Sequence, residues 1–478
     1  MKKIVLPLAS VALVVLLSLG LSGSMPTHAE ALTAKPNIVF ILADDMRKDD
    51  LKYMPKTRNL LQEKGMTFQN AFVSNALCCP SRATIMRGQY SHNTGVWTNH
   101  NSTGGGWQAY KTNDDENDNV ATRLHDAGYR TALIGKYLNG YHDTTYVPPG
   151  WDRWFATFDG TGGSFRYFDY DINDNGTIRH YGTRERDYKT DVLSRKTNAF
   201  ISNSASLGKP FFAYVTPIAP HLPSKPAPRD AHTFDGLNAP RLPSFNERNV
   251  SDKPSWIRKL PRLTSDQITN IDNLHEYRIE SLQAVDDLVQ GVVGKLKNAG
   301  VMSNTYIFFT SDNGWYHGEH RIPNEKSRPY EEDVHMPLVV RGPGVAADST
   351  TSKLALNTDY LPTFTNLAGA QSPPYVDGRS LRPVLKGNAT TWRNAILLEA
   401  AAYHSPAYRG IRTVSTSTTK RKYVEYAGGA REFYKLDPDP YELTNRYNAA
   451  KPPSGLASRL QALKTCSADT CRTAEDGQ

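Results

Sequence analysis

Apolar residues fall along this chain in short unbroken runs, and polar motifs stand where the runs stop. Asn37–Ala43 (NIVFILA) is rich in branched residues and does not alternate. That is the pattern of a parallel strand buried on both faces. Residues 129–134, 210–216, 305–310 and 337–341 repeat it. Between them lie helical patterns: 57–64 closed by Gly65, 120–127 closed by Gly128, and a long amphipathic stretch over 271–298. In the last, Leu282, Val285, Leu288, Val289, Val292 and Leu296 share one face, and Gly300 ends it. Alternating strands and helices predict an α/β fold: a large mostly parallel sheet covered by helices on both faces. From about residue 371 the pattern changes to short strands (394–398, 422–426) and turn-rich links, which predicts a smaller C-terminal α+β subdomain. The polar, Gly- and Asn-rich segment 98–119 is expected to be a surface loop.

The first residues do not fit this pattern. Lys2 and Lys3 precede a short apolar run over 11–21, and Thr27-His28-Ala29 offers small residues for cleavage. This predicts a signal peptide over 1–29, with Ala31 an alternative cleavage site and an uncleaved anchor the competing reading. A catalytic domain over 30–370 and a C-terminal subdomain over 371–478 follow. The expected location is secreted, with no stable membrane association after cleavage. Losing Lys2 and Lys3 lowers the formal charge from +8 to +6. That excess suits anionic ligands, but no zinc-finger spacing, ribonucleoprotein motif or basic block points to nucleic acid.

Four cysteines are present. Cys466 and Cys471, five residues apart in an exported chain, are expected to form a local disulfide that pins the tail. Cys78 and Cys79 are adjacent, which makes a bridge between them strained. No matching Cys or His pair lies at zinc-ligand spacing. They need another explanation.

Two acidic pairs end strands: Asp44-Asp45 and Asp312-Asn313. The C-terminal edge of an α/β sheet is where ligands bind, and together the pairs could supply hard oxygen ligands to a divalent cation. Singly, each is more commonly a cap or a turn.

The decisive run is Cys78-Cys79-Pro80-Ser81-Arg82, followed by Ala83-Thr84-Ile85-Met86-Arg87-Gly88. By composition, Cys-x-Pro-Ser-Arg arises by chance in roughly one chain in a thousand of this length. Here the sequence resembles the sulfatase family of the alkaline phosphatase superfamily, with Met86 at a position that is usually Leu. The resemblance extends over nearly the whole mature chain. Asp44-Asp45 and Ser311-Asp312-Asn313-Gly314 look like its metal motifs, Gly135-Lys136-Tyr137 like its lysine motif, and Ala219-Pro220-His221 like its histidine motif. Lys326 follows at the expected distance, and residues 433–443 look like its closing hairpin.

The resemblance implies a mechanism. A formylglycine-generating enzyme would oxidise Cys78 to formylglycine, whose hydrate supplies two hydroxyls. One attacks sulfur, and loss of a proton from the other expels sulfate. Asp44, Asp45, position 78, Asp312 and Asn313 would hold one divalent cation, with calcium expected. Arg82 would bond the nucleophile, the following helix would point backbone N–H groups at it, and Lys136, His221 and Lys326 would bond the sulfate. Many members carry a histidine two residues after the lysine. Here Leu138 stands there, as in the glucosamine-6-sulfatase branch, so Asn139 or His142 is a candidate replacement. His317 and His320 are expected on a surface loop rather than in the pocket. The implied activity is hydrolysis of a sulfate ester, with a sulfated small molecule or glycan as substrate. The alternatives are a phosphodiester or phosphonate monoester hydrolase, and a non-catalytic sulfated-glycan binder with Cys78 unconverted.

Overall fold

The protein is described from a computed structural model that covers residues 1, 3, 35–414 and 420–477. The expected signal peptide lies outside the described residues. No helix among them is long and apolar enough to cross a membrane.

Eleven strands make the main sheet: β1 (Asn37–Ala43), β2 (Met66–Phe72), β3 (Arg130–Lys136), β4 (Arg153–Thr157), β5 (Tyr170–Asp174), β6 (Thr177–Tyr181), β7 (Phe211–Thr216), β8 (Thr305–Ser311), β9 (His335–Met336), β10 (Leu338–Arg341) and β11 (Ser349–Leu356). Their order is β11-β2-β10-β8-β1-β7-β3-β4-β5-β6, with β9 beside β2. The centre, β8-β1-β7-β3-β4, is parallel throughout. β10, one of the apolar runs, lies antiparallel between β8 and β2, and β5 and β6 close the far edge as an antiparallel hairpin.

The absence of alternation in β1 has a direct cause. Ile38, Phe40 and Leu42 enter the core on one face, while Val39, Ile41 and Ala43 enter the core on the other. The second core is closed by the helices Lys189–Ser206 and Ser265–Asn298. The long helix begins six residues before its apolar stripe. A capping box, with Thr264 Oγ1 accepting from Gln267 N–H at 3.3 Å, starts it there, a contribution of about 1 kcal/mol. The predicted helix at 57–64 instead starts at Pro55 and continues as a π-turn over Arg58–Gln62. Gly65 then passes so close to Val340 that a β-carbon would lie 2.3 Å from its carbonyl oxygen.

Segment 98–119 departs from expectation. It contains the helix Gly106–Thr112, and Trp107 and Tyr110 are buried. Its polar residues cap and tie this helix, as where Glu116 accepts the Trp107 indole N–H at 2.6 Å. The polar composition conceals two aromatic anchors.

The C-terminal sheet is antiparallel: β12 (Ala395–Ala400), β13 (Tyr408–Thr413), β14 (Arg421–Tyr426) and β15 (Arg431–Lys435), in that order. It shares a core with Phe72, Val334 and Met336 of the main sheet region. Cys466 and Cys471 are joined by a disulfide in this layer.

Candidate active site

The floor of the site is made of strand ends. The parallel register of β1 and β8 sets Ala43 opposite Ser311, so Asp44-Asp45 and Asp312-Asn313 leave the sheet side by side. Asp45 N–H donates to Asp312 Oδ1 at 3.1 Å. Asp45 has φ 68°, a left-handed conformation that costs a residue with a β-carbon about 1 kcal/mol or more. Arg278, from the long helix, donates to the carbonyl oxygens of Asp45 and Pro220 and so braces this turn. Lys136 is the last residue of β3. Gly135 before it has φ 128°, and a β-carbon there would meet Thr216 O at 2.2 Å, so only glycine lets β3 approach β7 at this point.

Cys78 opens the helix Cys78–Arg87, which ends at Gly88 with φ 68°. Its Sγ lies 3.4 Å from Asp44 Oδ1, 3.7 Å from Asp45 Oδ1 and 2.8 Å from Lys326 Nζ. The free first-turn N–H groups expected here are fewer than the motif suggested. Cys79 N–H is taken by Asn99 Oδ1 at 2.8 Å, and Pro80 has none. Arg82, one turn on, meets carboxylates: Nε donates to Asp312 Oδ2 at 2.8 Å and Nη2 lies 3.7 Å from Asp44 Oδ2. Lys136 Nζ donates to Asp44 Oδ2 at 2.5 Å, and Lys326 Nζ to Asp45 Oδ1. His221 Nε2 lies 3.6 Å from Asp45 Oδ2, and its ring stacks on Phe165.

Burial and charge pull against each other in this cluster. Burial disfavours the Asp44 carboxylate, but Lys136, His221, Arg82 and Lys326 outweigh it and hold the group well below the ordinary range. At Asp312, burial and the neighbouring Asp44 charge prevail over Arg82 and push it up to about 6. Burial likewise pushes the Cys78 thiol far up, so the encoded side chain is a neutral thiol and a poor nucleophile. Burial opposes the Lys326 charge, but Asp45 and its neighbours keep the ammonium protonated.

The donor set fits a hard cation. Asp45 Oδ2 and Asn313 Oδ1 are buried with no hydrogen-bond partner among the described residues, which is costly unless something else satisfies them. Ligand atoms of Asp44, Asp45, Cys78 and His221 lie within 4.8 Å of one another. Carboxylate and amide oxygens in this number could hold calcium or a similar ion.

The structure thus brings together Asp44, Asp45, Cys78, Arg82, Lys136, His221, Asp312, Asn313 and Lys326. Asn139 lines the cleft above them, whereas His142 is exposed, packs against Trp107 and does not line it. His317 and His320 are not on the surface. Both are fully buried, His317 Nε2 at 3.2 Å from His275 Nδ1 and His320 Nδ1 at 2.7 Å from Glu247 Oε2. These polar partners are distant in sequence, which is why a polar loop hides buried histidines. Arg278 and Phe165 were not anticipated. Arg278 and His275 do fall on the helix stripe that holds Ile271, Leu282 and Val285, and polar residues on an apolar stripe are a signal in themselves.

A cleft of about 440 Å³ opens over the floor. Its rim comes from loops: His100, Phe165, Trp315, Asn324, Glu325, and Tyr403 with His404 from the link after β12. Glu325 Oε2 pairs with Arg328 at 2.5 Å, and His404 Nδ1 lies 3.7 Å from Glu325 Oε1.

Comparison with known proteins agrees with this geometry. A family model described as Sulfatase matches residues 36–370, and one described as N-sulphoglucosamine sulphohydrolase, C-terminal, matches residues 318–465. Human N-acetylglucosamine-6-sulfatase is 33% identical over 516 aligned residues, covering 98% of this chain and 91% of its own. An arylsulfatase of Volvox carteri is 31% identical over 517, covering 95% and 78%. A solved protein in complex with its substrate D-glucosamine-2-N,6-O-disulfate superposes with a TM-score of 0.76 at 24% identity, over 93% of this chain and 99% of that one. The phosphonate monoester hydrolase of Silicibacter pomeroyi superposes with a TM-score of 0.65 at 22% identity, over 90% and 94%, so the fold alone does not choose between sulfur and phosphorus. Sequence identity along almost the full length, with the model match, does choose: the chain belongs to the sulfatase family and is a sulfuric ester hydrolase.

Proposed function

We propose that this sulfatase is an exported enzyme that releases sulfate from a sulfated glycan, with an aminosugar sulfate ester as the reacting group. It uses formylglycine formed from Cys78 and one divalent cation, with calcium the expected ion. The observation that carries this reading is the position of Cys78 Sγ, among Asp44, Asp45 and Lys326 at the bottom of a cleft, beside two unpaired oxygens of Asp45 and Asn313.

Formylglycine, once formed by a modifying enzyme, supplies an aldehyde hydrate in place of a neutral thiol. Asp44, Asp45, Asp312, Asn313 and position 78 would hold the cation, which would supply positive charge favouring ionisation of the attacking hydroxyl. The remaining work belongs to the side chains. Arg82 fixes Asp312 and Asp44 from below. Lys136 and Lys326 place charged N–H donors where sulfate oxygens gain charge in the transition state. His221 Nδ1 lies 2.7 Å from Leu222 O, which fixes the tautomer and turns Nε2 toward the floor. Burial lowers the pKa of His221, and a bound sulfate offsets this, so that Nε2 can carry a proton to the sulfate or to the departing oxygen.

Two measurements test the reading. Conversion of Cys78 shifts its tryptic peptide by about −18 Da, the thiol being replaced by an aldehyde oxygen. Turnover of sulfated aminosugars should release inorganic sulfate. An intact thiol at Cys78 in the exported protein, or phosphate release from phosphorus esters without sulfate release from any sulfate ester, would overturn it.

A further inference from the structure

Away from the active-site cleft, the sheet edge near β2 and β10 carries two hollows that meet at one lysine. The first, about 390 Å³, is lined by Lys48, Lys52 and Arg58 over the apolar floor of Leu51, Phe68 and Leu338. The second, about 570 Å³, lies against β13 and β14 and is lined by Lys48, His335, Arg412 and Lys420. Lys48 lines both, so the two hollows adjoin, and together they are called the groove. It shares no lining residue with the active-site cleft.

The charge in this groove is unbalanced. The first hollow has one lining acid, Asp49, and Arg47 already holds it at 2.9 Å. The second also has one, Glu331, shared among Arg412 at 3.1 Å, Lys422 at 2.9 Å and His335 at 3.4 Å. Lys420 has a loose partner in Asp437 at 3.5 Å. Among the described residues, no carboxylate lies within ion-pair distance of Lys48, Lys52 or Arg58. Lys48 is held by neutral acceptors rather than by a carboxylate. Its Nζ is 2.8 Å from His335 Nε2, which itself lies 2.7 Å from Gln69 O. Lys48 Nζ donates to Gln69 O at 2.8 Å, and with the His335 proton on Nδ1, 3.4 Å from Glu331 Oε2, the ring's Nε2 accepts from the ammonium. Burial pushes the Lys48 ammonium down to about 8, and the more distant Glu331 charge offsets only part of this.

We propose that this groove is a second binding site, for the anionic groups of a sulfated polysaccharide that the catalytic site works on. The choice of polyanion rests on the proposed function, whereas the groove stands on its own geometry. The lining favours a flexible anionic chain. It is concave, which keeps a flat bilayer off its floor; of its two lining rings, Phe68 is fully buried and His335 is already stacked on Phe72, so neither offers a platform for stacking a base. The groove also lies near the chemistry. Lys48 follows Asp45 by three residues, a Cα separation of at most about 11 Å. A polysaccharide held here keeps its sulfated units concentrated beside the cleft, as a linked second site does.

The test measures binding to immobilised heparin as a probe, in a Cys78→Ala background that removes turnover. The triple variant Lys48→Gln/Lys52→Gln/Arg58→Gln should elute at lower salt and bind about tenfold more weakly. In the native Cys78 background, the same triple variant should hydrolyse a small chromogenic sulfate ester at the unaltered rate. A control of equal charge change, Lys209→Gln/Lys259→Gln/Lys297→Gln, should bind heparin like the parent. Equal weakening in both triple variants would show that net charge alone is responsible and would overturn the site, as would no heparin binding by the parent. Equal affinity for single-stranded DNA or anionic vesicles, with the same sensitivity to the groove variant, would overturn the choice of ligand. Failure to hydrolyse any sulfate ester would sink the proposed function and leave the heparin result to be judged separately.

Discussion

The floor and the rim of the cleft are built by different means. Most floor residues sit at or just after a strand end or in the helix that opens at Cys78, with His221 and Lys326 on the links after β7 and β8, and Asp44, Asp45, Arg82, Asp312 and Asn313 are essentially inaccessible. Their positions follow from sheet register and from a few buried ion pairs. The rim residues His100, Phe165, Asn324, Tyr403 and His404 sit on links between elements, and two of them hang from the C-terminal sheet. The floor therefore has little freedom to change, whereas the rim can vary without disturbing the sheet. Chemistry common to a family belongs on the first, and discrimination among substrates on the second.

The sharpest way to break this division is at the floor. Cys78→Ala should reduce sulfate release by about 1,000-fold or more, because nothing else can supply the covalent nucleophile. The far-UV spectrum should stay native. Residual turnover within tenfold of the parent would remove Cys78 from the chemistry. Asp312→Asn tests the charge balance. It leaves Arg82 with a neutral partner at 2.8 Å and should lower activity by about 100-fold, with a loss of stability of about 1–3 kcal/mol by denaturant titration. Unaltered turnover after exhaustive metal exchange would exclude Asp312 from the site.

Between floor and rim lies the bracing layer. Arg278 donates hydrogen bonds to the carbonyl oxygens of Asp45 and Pro220 and lies 5.0 Å over the Trp315 ring, so it acts by positioning. Arg278→Lys should lower kcat by about tenfold and make the enzyme more easily inactivated by chelators, since the Asp45 turn loosens. A raised KM with unchanged chelator sensitivity would indicate a direct substrate contact instead.

This layered arrangement also explains what could be read in the sequence. Asp44-Asp45, Lys136, His221 and Asp312-Asn313 were legible because each follows an apolar run whose pattern announces a buried strand, whereas Lys326 was placed only by the family resemblance. The Cys-x-Pro-Ser-Arg run is too improbable to be incidental. Arg278 was half-legible, a charge on an apolar helical stripe. The rim was not legible. Phe165 and His404 sit in links without periodicity, and their convergence depends on how the C-terminal sheet docks on the core around Phe72 and Val334. His317 and His320 looked like surface loop residues for the same reason. The partners that permit their burial, His275 and Glu247, lie 42 and 73 residues away.

The rim itself offers the smallest effects. His404→Ala removes a ring near Glu325 without touching the floor. It should raise KM for a sulfated oligosaccharide by about three- to tenfold and leave kcat for a small aryl sulfate within about twofold. If both substrates lose kcat equally, His404 belongs with the floor, and the boundary between chemistry and recognition must be redrawn through the C-terminal sheet. Smaller still for catalysis is the Cys466–Cys471 bridge, which closes a loop of five residues in sequence separation. Cys466→Ser/Cys471→Ser should cost about 2 kcal/mol of stability by the chain-entropy estimate and leave turnover at 25 °C unaltered. Cys466 O accepts from the Asn93 amide at 3.0 Å and lies 2.9 Å from His92 Nε2, so the tail is also held by hydrogen bonds, and the loss can fall below that estimate. A loss of activity larger than the loss of stability explains would mean that the tail orders the rim from behind, through the segment from Ser91 to Thr94 that follows the Cys78 helix.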